Sequence, residues 1–274
     1  MTPMPDFLLN TVAALTGETI LAIDPERIGA VSSAAAGQPE PPRVVALIPI
    51  HGILSPRSFA GWFGRVEGMD GIRARLEAAA ANPDISAIVL DVDSPGGTVS
   101  GTPETAAAVR RASEAKPVVA VANSLAASAA YWIASQASSL AVAPSGDVGS
   151  IGVISAHIDR SKMLDDMGLR VTVVSAGKYK AEGNPFAPLS DEAKANMQAR
   201  VDEAYADFIR DVAAGRRVSQ QKAREEFGQG RVVSARRAVE LGMADRVATL
   251  PEILAGLAGR KQTPMRRRSS LAFA

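Results

Sequence analysis

Three apolar runs, residues 44–50 (VVALIPI), 85–92 (ISAIVLDV) and 117–121 (PVVAV), set the strongest limit on how this chain can fold. A strand with one face in water alternates apolar and polar side chains, whereas a run without alternation has to be covered on both faces. The segments between the runs supply covers. Residues 70–82 put Ile72, Leu76 and Ala79 on one helical face and close on Asn82-Pro83-Asp84. Residues 103–115 form a second helix with its proline at the start. This alternation predicts an α/β fold in which flanking helices cover a mostly parallel sheet.

The third run leads into residues 123–136 (NSLAASAAYWIASQ), which lack Gly and Pro and predict a helix beginning near Ala126. Ser128 then lies in the first helical turn, beside unpaired N–H groups and the positive end of the helix dipole, where a developing oxyanion is favoured. An ordinary buried, alanine-rich helix would have the same sequence. Farther on, residues 140–143 and 170–175 (RVTVVS) read as strands, with a glycine-framed turn at residues 149–153. Residues 176–186 carry too many turn formers to be regular. Ser190 caps a long helix with Met197, Val201, Tyr205, Phe208 and Val212 along one stripe, and shorter helices follow at residues 220–227 and 234–241. A short helix is expected at residues 7–15, followed by a Pro-, Gly- and Ala-rich linker. The expected division is an extension over residues 1–42, one domain over 43–257, and a basic, disordered tail over 258–274.

Composition matters here mainly for what it excludes. A chain of 274 residues, 47% hydrophobic, can bury a sizeable core, and a formal net charge of +1 argues against nucleic acid as a partner. The absence of cysteine removes disulfides, thiol nucleophiles and cysteine metal sites. No metal or cofactor is expected. There is no secretory signal at the N-terminus and no apolar run of the ~20 residues that a membrane span needs, so the expectation is a soluble, cytoplasmic protein.

Three groups of residues bear on chemistry at Ser128. Asp93-Ser94-Pro95-Gly96-Gly97 follows a strand, at the sheet edge where α/β folds bind ligands. There the Gly97 N–H is the candidate to bind an oxyanion together with the N–H of Ala129; a plain turn is the competing reading. A serine hydroxyl also needs a base. His51 ends a strand and reads as structural, whereas His157, with Asp159 or Asp165, would complete a Ser-His-Asp arrangement. Lys180 is the other candidate base, since apolar neighbours such as Tyr179 and Phe186 disfavour the charged form of an amine.

Taken in order, Ser94-Pro95-Gly96-Gly97, Ala126-Ala127-Ser128-Ala129-Ala130-Tyr131, Gly149-Ser150-Ile151-Gly152-Val153, and Gly177-Lys178-Tyr179-Lys180 followed by Asn184-Pro185-Phe186 resemble the signal peptide peptidase A family of Ser-Lys peptidases. Within it they look most like the tailed-phage head maturation, or capsid assembly, proteases. Residues 230–245 are similar to the family's closing motif, and the resemblance covers roughly residues 43–254. It implies a Clp protease/crotonase-like fold, with Ser128 as nucleophile, Lys180 rather than Lys178 as general base, and Ser150 hydrogen-bonding the lysine amine. It further implies an oxyanion hole of Gly97 and Ala129 N–H groups and a homo-oligomer acting on capsid, portal or scaffold proteins.

Because serine and lysine can come from neighbouring subunits in this family, Ser128 and Lys180 of one chain are expected to lie beyond hydrogen-bond reach. Membrane-anchored bacterial members carry an N-terminal span not found here, which favours the phage branch. Some phage members continue into a C-terminal scaffolding region, expected here to be a separate protein or cut away. The pockets beside Ala126 and Ala127 are expected to be shallow and to take small side chains. Four alternatives stand beside this reading: a Ser-His-Asp peptidase using His157, a bacterial signal-peptide-peptidase-like degradation of peptides, an acyl-CoA enzyme of the crotonase fold, and a non-catalytic capsid- or scaffold-binding module.

Overall fold

The structure, a computed structural model, describes residues 20–22, 44–61, 64–66 and 68–258. The expected helix at residues 7–15, the linker and the basic tail lie outside the described residues. In chain order the strands are β1 (Ile20–Ala22), β2 (Val44–Leu54), β3 (Phe59–Gly61), β4 (Gly64–Val66), β5 (Ile85–Gly97), β6 (Val118–Ala127), β7 (Ser139–Val142), β8 (Asp147–Gly149), β9 (Val232–Ser234) and β10 (Arg246–Val247). The helices are α1 (Met69–Ala81), α2 (Thr102–Ala115), α3 (Ala129–Ala134), α4 (Ser161–Asp166), α5 (Asp191–Arg216), α6 (Gln220–Glu226), α7 (Ala235–Leu241) and α8 (Leu250–Ala258).

The strand order β1-β2-β5-β6-β7-β10 is parallel throughout, and β8 joins the free upper end of β6 before pairing antiparallel with β9. Alternate residues of the three long strands face opposite ways. One face carries Ile48, Ile50, Ile88, Leu90, Val118 and Ala120 into a core closed by α1, α2, α3 and α5. The other carries Val45, Ala87, Val89, Val119, Val121 and Ala141 under Ile253 of α8. This double covering is why the runs do not alternate. Above α8 the second face turns polar, where His51 Nε2 lies 3.0 Å from Asp91 Oδ2 and Asn123 Nδ2 donates to Asp91 Oδ1 at 3.2 Å.

The expected Clp protease/crotonase-like fold is corrected. Among the described residues more of the chain is helical than extended, and beyond β6 the strands are short pieces beside the 26-residue α5. The resemblance that implied it rests on short motifs, and these carry no measure of the helical mass and loops between them.

Helix α3 is buried on every side. Tyr131 Oη donates to the Met243 carbonyl at 2.9 Å, and Trp132 Nε1 donates to Asp211 Oδ2 at 2.9 Å. The Trp132 ring stacks on Phe208 of α5, with centroids 4.5 Å apart. The Ser190 hydroxyl accepts from the Ala193 amide and so caps α5, which is about 39 Å long at 1.5 Å per residue. Only the second half of its expected stripe is buried: Phe208 and Val212 are in the core, while Met197, Val201 and Tyr205 are half-buried.

Residues 154–189 project from this body and are mostly exposed, including Ile154 (97%), Val174 (93%), Met167 and Ile158. The strand expected at residues 170–175 does not form. A strand needs a neighbour to bond with, and among the described residues of the single chain none lies alongside. The segment is closed on itself, since the Arg160 amide donates to the Pro185 carbonyl at 2.8 Å.

Candidate active site

Strand β6 runs to Ala127, so the helix expected from Ala126 starts at Ala129, and Ser128 is the joint between them. Its backbone lies at φ 52°, ψ −126°, a region that costs a non-glycine residue on the order of 1–3 kcal/mol and persists only where the surroundings impose it. They do so here: the Ser128 amide donates to the Gly149 carbonyl at 2.8 Å, and the Ser128 carbonyl accepts from the Trp132 amide at 3.0 Å. The hydroxyl does not cap α3 and has no hydrogen-bond partner among the described residues.

Two glycines at the end of β5 face this joint. A Cβ on Gly96, at φ 100°, would lie 2.7 Å from Ser128 Cβ and 2.9 Å from the Ala129 nitrogen, so glycine alone keeps the space before the Ala129 N–H open. Leu54 of β2 is registered with Gly97, and its carbonyl accepts from Thr98 at 3.1 Å. Along a strand successive N–H groups alternate in direction, so the Gly97 N–H points away from β2, toward the side where β6 ends in Ser128. The sequence names Gly96 only as part of the Ser94-Pro95-Gly96-Gly97 motif, and its place against Ser128 comes from the structure.

Ser150 occupies the equivalent place one strand over. Ala127 and Gly149 are partners in the β6–β8 register, so Ser128 and Ser150 each follow a paired residue. Ser150 also has φ 52°, and its amide donates to the Arg231 carbonyl at 2.9 Å. Its hydroxyl has no partner among the described residues.

Lys180 is exposed on a run of turns in the projecting segment, its amide donating to the Gly177 carbonyl at 3.1 Å. Tyr179 and Phe186 are exposed too, so the apolar cover expected around it is absent in the single chain. The Lys180 amine makes no hydrogen bond among the described residues and none to Ser128. Lys178 differs. Its amine donates to Tyr179 Oη and to Glu192 Oε1, the latter at 3.2 Å, and these bonds, the tyrosine's first, hold its pKa above the ordinary lysine value. An ammonium so held is a poor base.

No Ser-His-Asp arrangement is assembled among the described residues. His157 Nε2 lies 3.0 Å from the Asn184 carbonyl, which can only accept, so that nitrogen is the donor. His51 is held by Asp91 on the outer sheet face. The described residues contain no group of three or more His, Cys, Asp or Glu able to hold a metal ion and no helix long and apolar enough to cross a membrane.

The profile of Peptidase family S49 matches residues 110–263. Over 204 residues the chain is 34% identical to capsid assembly protease C of Escherichia phage lambda, covering 74% of this chain and 46% of that protein. It is 32% identical over 231 residues to the head-tail preconnector protein GP5 of Enterobacteria phage P21, covering 81% and 46%. The chain thus spans about half the length of these curated relatives. Among solved structures it is similar to a serine-to-alanine mutant of the 1510-N membrane-bound stomatin-specific protease, with a TM-score of 0.51 and 16% identity over 77% of this chain and 83% of that one. The fold is accordingly that of the stomatin-specific protease, in place of the Clp protease/crotonase-like fold expected.

Proposed function

Because this chain belongs to peptidase family S49, we propose that it is a serine endopeptidase in which Ser128 attacks the peptide carbonyl and Lys180 is the general base. The neutral amine takes the hydroxyl proton as the serine oxygen bonds to carbon, and the N–H groups of Gly97 and Ala129 receive the oxyanion. The resulting ammonium returns its proton to the departing amine, and lysine-activated water then hydrolyses the acyl-enzyme. Ser150 aims the amine. The observation that carries this reading is the strained Ser128, its hydroxyl unbonded and a glycine pair opposite it.

The base that meets a given Ser128 comes from a neighbouring copy. Support lies in the exposed apolar surface of residues 154–189, which includes the Lys180 turn, and in the β-branched run at residues 170–175, unpaired in one chain. A surface of this kind is expensive to leave in water. Two relatives are named for capsid assembly and for a head-tail preconnector, and on that basis the substrates are capsid, portal or scaffold proteins.

The test is co-expression with the neighbouring capsid, portal and scaffold proteins. Wild type cleaves at least one of them, and Ser128→Ala and Lys180→Ala leave all intact, while His157→Ala cleaves as wild type. Cleavage surviving Ser128→Ala would end the peptidase assignment.

A further inference from the structure

The Ser94 side chain is fully buried (0%), level with Ala126 of β6. Its hydroxyl donates to the Gly52 carbonyl at 2.6 Å and accepts from the Gly96 amide at 3.1 Å. A hydroxyl has one hydrogen to give, so the bond to Gly52 fixes its orientation and leaves a lone pair for Gly96. Both partners sit where regular pairing fails. The β2–β5 register slips between His51 and Ile53, whose partners are Asp93 and Gly96, and the β5–β6 register slips between Val92 and Ser94. Gly52 and Gly96 both have positive φ, at 69° and 100°. At this point the Gly96 amide is bonded by a side chain instead of by the neighbouring strand.

We infer that Ser94 is a positioning residue for the oxyanion-binding backbone: its hydroxyl locks the Gly96 amide to the bulge in β2, and so aims the adjoining Gly97 N–H at the Ser128 side. The inference rests on the peptidase reading and adds a residue that does not touch substrate. An oxyanion donor shifted by even a fraction of an ångström loses its advantage in the transition state, while ground-state binding is little affected.

The test uses the full chain, an alanine-rich internally quenched peptide and the aldehyde of the same sequence. In the aldehyde adduct the oxygen sits where the oxyanion forms. Ser94→Ala is expected to lower kcat about 10- to 100-fold with KM within about twofold, and to weaken aldehyde inhibition by a similar factor. Binding of the carboxylate product peptide stays as in wild type. Ser94→Cys fills nearly the same space with a weaker donor and falls between the two; it carries the test if the alanine variant does not fold. Unchanged kcat in either folded variant overturns the inference, and so does a loss shared equally by KM and product binding, which would mark general loosening. A wild type that fails to cleave, or that Ser128→Ala matches, sinks the peptidase reading itself and this inference with it.

Discussion

The Ser128 amide donates to the Gly149 carbonyl at 2.8 Å, tying the joint between β6 and α3 to the last residue of β8. Ser150 follows immediately, its backbone at the same positive φ as that of Ser128. Two serines far apart in sequence are thus carried out of the top of adjacent parallel strands with both hydroxyls free of partners among the described residues. Neither strained conformation has a local cause; both amides are held by carbonyls distant in sequence, Gly149 for Ser128 and Arg231 for Ser150.

Gly96→Ala is expected to reduce kcat/KM by at least about 10²-fold, because the new methyl would press on Ser128 Cβ and the Ala129 nitrogen. The backbone at φ 100° adds a cost on the order of 1–3 kcal/mol. Peptide cleavage measured beside a thermal melt separates the two effects, and wild-type turnover in a folded variant would show that this space is not part of the site.

Ser150→Gly moves stability and activity in opposite directions. Glycine relieves the positive φ, so stability holds or rises by up to about 1 kcal/mol despite the entropy that glycine adds to the unfolded chain. Turnover falls about 10- to 100-fold as the amine loses its guide. Urea titration and steady-state kinetics on one preparation check both signs; undiminished kcat refutes the role given to Ser150.

Val174→Asp puts a charge on a side chain that is 93% exposed in the single chain. Light scattering is expected to report an oligomer for the wild type and a monomer for the variant, with turnover lost in the monomer. Mixing Ser128→Ala with Lys180→Ala, each inactive alone, is expected to restore up to about a quarter of the activity if the dyad is shared between copies. A monomer with full activity would exclude sharing.

Tyr131 gives a pH signature. Burial pushes its phenol well above the ordinary tyrosine value. With the folded-state pKa raised, the contribution to stability is complete below the unfolded value of about 10 and is lost as pH rises beyond it, at up to about 1.4 kcal/mol per pH unit, because only the unfolded chain ionises. Tyr131→Phe removes that part of the alkaline slope and costs about 1–2 kcal/mol at neutral pH through the unpaired Met243 carbonyl. Identical slopes for the two proteins between pH 9 and 11 would contradict the burial argument.

Legibility followed the range of the interactions involved. The strands at residues 44–50, 85–92 and 117–121 were plain because covering on both faces leaves a continuous apolar run; the first two lie within β2 and β5, and the third lies within β6 but for Pro117, which just precedes it. Their ends were not. β5 continues through Ser94-Pro95-Gly96-Gly97, and β6 continues to Ala127, because β2 and β8 pair with residues whose own propensities favour turn and helix. Residues 170–175 show the converse, a β-branched run with no neighbouring strand. The residues proposed for the mechanism come from spacing and resemblance; the free hydroxyls of Ser128 and Ser150 come from the structure.

By itself the sequence determined which segments must be buried, which residues are chemically able to act, and the family to which they belong, since side-chain chemistry and short-range periodicity reside in the chain. Only the tertiary structure decided the fold, the strained joint at Ser128, the place of Gly96 against it, and the exposure of Lys180. These depend on which strands lie side by side and where their registers slip, and pairing energies of that kind arise between residues that no local pattern connects.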